Sequence, residues 1–131
     1  MRLLLAVLLL TVVNSCSVAQ DAVSKKAEFK GGSEALGQFV TEHFNKDLLT
    51  PEIKGKIYVE FDVDEKGHPS GFHVQNLPNV IGFPNKELEN EALRVLALMP
   101  DWTPTIIKGK PIEAPISIPI VIDNSTIKAG K

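Results

Sequence analysis

From Gly55 the chain alternates with a period of two. Ile57, Val59, Phe61 and Val63 are separated by Tyr58, Glu60, Asp62 and Asp64. That pattern predicts a half-buried strand with one wet face. The stretch Asp64-Glu65-Lys66-Gly67-His68 follows, with Gly67 placed to take a positive φ, and predicts a tight hairpin turn. Phe72 and Val74, against His73 and Gln75, predict the returning strand. The same period reappears in Ala114–Asp123, where Ile116, Ile118, Ile120 and Ile122 share one face.

Between these stretches the period lengthens. Ser33 is placed to cap a helix with Glu34 in its first turn, and Leu36, Phe39, Val40 and Phe44 form an apolar stripe up to Pro51. A helix is expected over about residues 33–46. Asn85 is placed to cap a second helix, with Leu88, Ala92, Leu93, Val95, Leu96 and Met99 as its wide buried face and Pro100 as its stop. Trp102 is expected to pack over the end of that helix. Residues 76–85, with Pro78 and Pro84, read as a loop, and Lys108–Pro111 as a turn. The order α-β-β-α-β implies a three-stranded antiparallel sheet with both helices on one face, an α+β fold.

The last strand carries Pro115 and Pro119. Proline has no N–H for a sheet ladder and is confined to edges, first positions and bulges. Backbone N–H groups point alternately to the two sides of a strand, so both missing donors lie on one side. The even side is expected to pair with the sheet. Pro115, Ser117, Pro119 and Val121 then mark a blunted outer edge.

The N-terminus changes the picture of where the fold begins. Arg2 precedes an apolar run from Leu3 to Val13, followed by Ser15, Cys16, Ser17 and Ala19. The run is too short for a stable membrane span and suits a secretory signal peptide. Residues 1–19 are therefore set apart, residues 20–32 read as a linker, 33–123 as the domain and 124–131 as a flexible tail. Two processing routes compete. "VNSC" is similar to a lipobox, which would make Cys16 the lipidated residue and give a lipid anchor, expected in the outer membrane. "SVA" at Ser17–Ala19 would instead leave Gln20 first. With one cysteine in 131 residues, no disulfide or redox pair is expected. A net charge of −2 gives no electrostatic footprint for nucleic acid.

Four stretches then point to a family. Ala27–Leu36, "AEFKGGSEAL", resembles the opening of TonB C-terminal domains as they occur in Bacteroidetes-type bacteria. Residues 55–74 look like that family's hairpin, residues 85–104 like its helix ending in Met-Pro-x-Trp-x-Pro, and residues 108–122 like its closing strand. Together they span about residues 27–122, in order. The resemblance implies a non-catalytic protein-binding module at the periplasmic face of the cell envelope, associated with outer-membrane transport. It also implies that a receptor segment is gripped by addition to a sheet edge. The chain lacks the family's transmembrane anchor and proline-rich arm, so it is not expected to transduce energy alone. The two prolines also weaken the edge grip, each removing a ladder bond of about 1 kcal/mol.

Candidate chemistry adds little beyond that. His43, His68 and His73 lack metal-pair spacing, and no metal or cofactor is expected. Glu60, Asp62, Asp64 and Glu65 cluster, but the first three share a wet strand face rather than facing across a cleft. No nucleophile elbow, phosphate loop or dinucleotide fingerprint occurs, and no catalytic residue is assigned. A partner, an envelope protein such as an outer-membrane receptor or transporter, is expected on the wet face of Tyr58, Glu60, Asp62, His73 and Gln75. Two other readings stand beside this: a structural, self-assembling envelope lipoprotein, and a small envelope hydrolase.

Overall fold

The fold is described from a computed structural model, over residues 24–75 and 85–130. The signal segment, Cys16 and most of the expected loop at 76–85 lie outside the described residues. Helix α1 spans Gly32–His43, a single 3₁₀ turn Lys46–Leu48, and helix α2 Lys86–Ala97. The strands are β1 (Gly55–Val63), β2 (Pro69–Val74), β3 (Thr105–Ile107), β4 (Lys110–Ile112), β5 (Ala114–Asp123) and β6 (Thr126–Ala129).

The architecture is α+β, with an antiparallel sheet ordered β2-β1-β5-β6 and a separate β3-β4 ribbon. The main sheet therefore has four strands rather than the three expected. The fourth comes from residues assigned to a frayed tail. Asn124 and Ser125 both take positive φ, 49° and 65°, as a type I′ turn requires, and β6 folds back on β5 with Asp123 opposite Thr126. Ile127 drops into the core as its one strongly apolar anchor. The ribbon has the same cause: Lys108 and Gly109 make a second positive-φ turn, so only two residues of the expected Lys108–Pro111 turn are turn.

The supposed linker is also corrected. Lys25 and Glu28 pair with Ile106 and Thr103 through reciprocal backbone bonds of 2.8–3.1 Å, and Ala27 and Phe29 are buried. Two apolar residues on the inner side of an extended stretch bring it into the fold. Gly31 and Gly32, both at positive φ, then turn the chain into α1.

The alternating faces meet as expected. Ile57, Val59, Phe61 and Val63 of β1 lie against both helices together with the four isoleucines of β5. Leu36 and Val40 of α1, and Leu88, Ala92, Val95 and Leu96 of α2, complete one core. α1 ends earlier than expected, at His43, with an extended Phe44 as its C-cap, and the Asn45 side chain caps the 3₁₀ turn. Asn85 caps α2 through bonds to the N–H groups of Glu87 and Leu88. Among the described residues no helix is long and apolar enough to cross a membrane.

Two glycines shape the hairpin. Between Glu60 and Asp62 the register slips, because Gly71 and Phe72 both oppose Phe61. Gly71, at φ 71°, takes the left-handed conformation that such a bulge uses. Gly67, at φ 92°, closes the turn with its N–H on the Asp64 carbonyl. Its own carbonyl accepts the Trp102 N–H at 2.7 Å, and a Cβ built on it would lie 1.9 Å from the Trp102 carbonyl oxygen. The hairpin turn is thereby locked onto the segment after α2.

Candidate functional site

Both helices cover one side of the sheet, and among the described residues the other side is bare. Tyr58, Glu60 and Asp62 project there from β1, and His73 and Gln75 from the β2 side. Glu60 is the centre of a bonded chain that crosses three strands. Its Oε2 accepts the Gln75 amide at 3.0 Å, and its Oε1 lies 3.4 Å from His73 Nε2. Gln75 in turn accepts the Ser117 hydroxyl at 3.0 Å. His73 Nδ1 lies 2.9 Å from the Gly71 carbonyl. Both ring nitrogens thus face oxygen atoms.

Of the five residues expected on this face, the structure joins Glu60, His73 and Gln75. Tyr58 lies opposite Pro119, one alternate position from Glu60, and is half-buried. Asp62 lies opposite Pro115 and Ser70, exposed and outside the bonded chain. Ser117, expected only as an edge residue, is the member that ties β5 into the network. Its register opposite Glu60 follows from the strand pairing, which the sequence pattern alone does not contain.

Charge is distributed unevenly over the bare face. Lys56 and Lys128 lie at the end carrying Val121, and Glu60 and Asp62 at the other. At the hairpin tip the His68 N–H, more than that of Lys66, holds the Asp64 carboxyl below its ordinary range. His68 Nδ1 also meets Asp101 at 2.5 Å, a second tie between this turn and the segment leading to Trp102.

The outer edge of β5 is the second feature. A two-residue turn makes Asp123 and Thr126 a hydrogen-bonded pair, so the N–H groups of odd residues point away from β1. The Gln75 N–H bond to the Tyr58 carbonyl at 2.8 Å fits the same alternation, since it turns Tyr58 toward β2 and leaves Ile57 and Val59 to face β5. β6 covers this outer edge only from Ile120 to Asp123. Pro115, Ser117 and Pro119 lie in the uncovered part, whereas Val121 is paired to Lys128 and is no longer at the edge.

Beside the uncovered part runs a groove of about 480 Å³. Ser24–Phe29 form one wall and Ile116–Pro119 the other, with Trp102 and Leu36 between them. Trp102 is 5% exposed, and its rings meet Phe29 and Phe61 edge to face at 5.7 and 5.3 Å. Its Nε1 is the one buried side-chain polar atom without a hydrogen-bond partner among the described residues.

No family model, curated protein or solved structure matches this chain. The chemistry open to the site rests on its geometry. Among the described residues no three His, Cys, Asp or Glu side chains are grouped to hold a metal ion. The Glu91 carboxylate is held below its ordinary range: Arg94 lowers its pKa most, against the opposing effect of burial, and the Asn45 N–H adds to the lowering. Glu91 lies on the core stripe of α2 between Leu88 and Val95, and Arg94 extends from it to the His43 carbonyl at 2.8 Å. This is a joint between the two helices. Its position on the apolar stripe is the signal that would have set it apart from the other glutamates of α2.

Proposed function

We propose that the chain is a non-catalytic protein-binding module, exported to the periplasmic face of the cell envelope, that presents the bare face of its sheet to a partner. The observation that carries this reading is the chain of bonds from Ser117 through Gln75 to Glu60 and His73. Side chains already held in place lose less conformational freedom on contact, which favours recognition. The leader-like N-terminus supports export, with a lipid anchor at Cys16 as one of its two routes. The resemblance of residues 27–122 to TonB C-terminal domains supports a partner in outer-membrane transport, such as a receptor or transporter.

A photo-crosslinking residue at Asp62, compared with one at Glu87 on the outer surface of α2, tests the reading in intact envelopes. One discrete adduct from position 62, larger than a dimer of the chain and absent from position 87, is the expected result. Adducts of equal yield from both positions, or none from either, would remove it. An adduct with the mass of two chains would replace it with self-assembly.

A further inference from the structure

Along β1 the bare face carries its charges in a fixed order: Lys56 first, Tyr58 next, then Glu60 and Asp62. Glu60 is held by Gln75 and His73, whereas Lys56 and Asp62 are exposed and in no ion pair among the described residues. Lys128, equally exposed and unpaired, lies in the same cross-strand row as Lys56, with half-buried Val121 between them. The order has a symmetry: reversing the direction of the strand exchanges the basic end for the acidic one. Consider a second copy turned to face the first about a two-fold axis lying between the two faces, across the strands and level with Val59. Lys56 of each copy then meets Asp62 of the other. On β5 the same axis sets Val121 against Pro115 and Pro119 against Ser117, and it brings the two Tyr58 side chains together beside it. An axis running along the strands would instead set lysine against lysine and acid against acid, so charge selects the antiparallel arrangement.

We infer that the chain, when free of its partner, pairs reversibly with a second copy of itself through this face, strands antiparallel, with Lys56 of each on Asp62 of the other. The contact is isologous, so every favourable pair occurs twice. Its size sets its strength. From Lys56 to Asp62 the face runs about 20 Å, and the three strands that carry it span about 15 Å, so each copy covers on the order of 300 Å². A pair of such faces falls well short of the roughly 1,200 Å² at which stable interfaces begin, and the pairing is therefore weak. The second copy and the partner compete for one surface, and self-pairing keeps that surface covered until a partner displaces it. The competition rests on the chain being a protein-binding module; the pairing itself does not.

Sedimentation equilibrium of the purified full chain tests the pairing. A monomer–dimer equilibrium is expected, with a Kd of about 100 μM or weaker. Raising the ionic strength should weaken it further. Lys56→Glu and Asp62→Lys, both exposed, should each weaken the dimer at least about ten-fold, because each sets like charges together twice. Mixed in equal amounts, the two variants should associate as the unaltered chain does, since each reversal then meets its opposite on the other chain. One chain carrying both changes should likewise pair with itself, which a variant that failed to fold could not do. A chain that stays monomeric up to about 1 mM, a dimer that neither reversal weakens, or a mixture no more associated than its components would each overturn the inference. A monomeric purified chain alongside the larger adduct from position 62 in envelopes would leave the binding module standing without self-pairing. A two-chain adduct there, with charge-dependent pairing in solution, would do the reverse.

Discussion

The outer edge of β5 is finished in two ways along one strand. From Ile120 to Asp123 it is paired by β6, whose own outer edge lies under α1, where the Ile127 carbonyl is 3.5 Å from the Thr41 hydroxyl. From Pro115 to Pro119 no strand among the described residues pairs it, and the prolines have removed two of its three outward donors. An exposed strand edge is a template for other chains, and it can be either covered or disarmed. Covering costs a turn and four residues. Disarming costs nothing in length and leaves the adjacent groove open, which covering would not. The prolines fall in the half where β6 is absent.

Four variants test this division, in descending order of effect. Gly67→Ala acts from beneath the uncovered half, because its methyl would strike the Trp102 carbonyl and its φ of 92° disfavours any side chain. A loss of about 3 kcal/mol or more is expected in denaturant unfolding, with the indole signal altered even where the protein stays folded. Ile127→Ala removes the anchor of β6 and should cost about 3 kcal/mol. Hydrogen exchange at Val121 and Asp123 should then rise toward that of Ser117; continued protection would show that β6 is not what covers them. Pro115→Val with Pro119→Val restores the donors. Stability should change by about 1 kcal/mol or less, while light scattering shows concentration-dependent association. A strictly monomeric double variant would deny the prolines their protective role. Ser125→Gly should add about 0.5 kcal/mol, since relief at φ 65° slightly exceeds the added chain entropy. Thermal unfolding can resolve that difference.

Legibility in the sequence followed the same boundary. The β1–β2 hairpin, α2 and the isoleucine face of β5 were visible because each carries a long run of one period. The common face of Glu60, His73 and Gln75 was visible for the same reason, and it needed only alternation. β6 was not visible. It has one strongly apolar residue, and its turn is Asn-Ser where Asn-Gly would have announced a type I′ hairpin. The β3–β4 ribbon and the Lys25–Glu28 stretch are too short to show a period at all, and they exist through pairing with each other. The groove was hidden with them, since one of its walls is that stretch.

The pairing of Lys25 and Glu28 with Ile106 and Thr103 also decides how the domain answers to force. Tension arriving along the chain ahead of Ser24 meets two reciprocal pairs of backbone bonds before it reaches Phe29. Drawn parallel to the stretch, these four bonds are loaded in shear and yield together. Drawn away from the surface, they are loaded one pair at a time, Lys25 with Ile106 first, and the stretch peels open with Ala27 leaving the core before Phe29. The groove beside β5 would be opened by a sideways pull and kept by a lengthwise one.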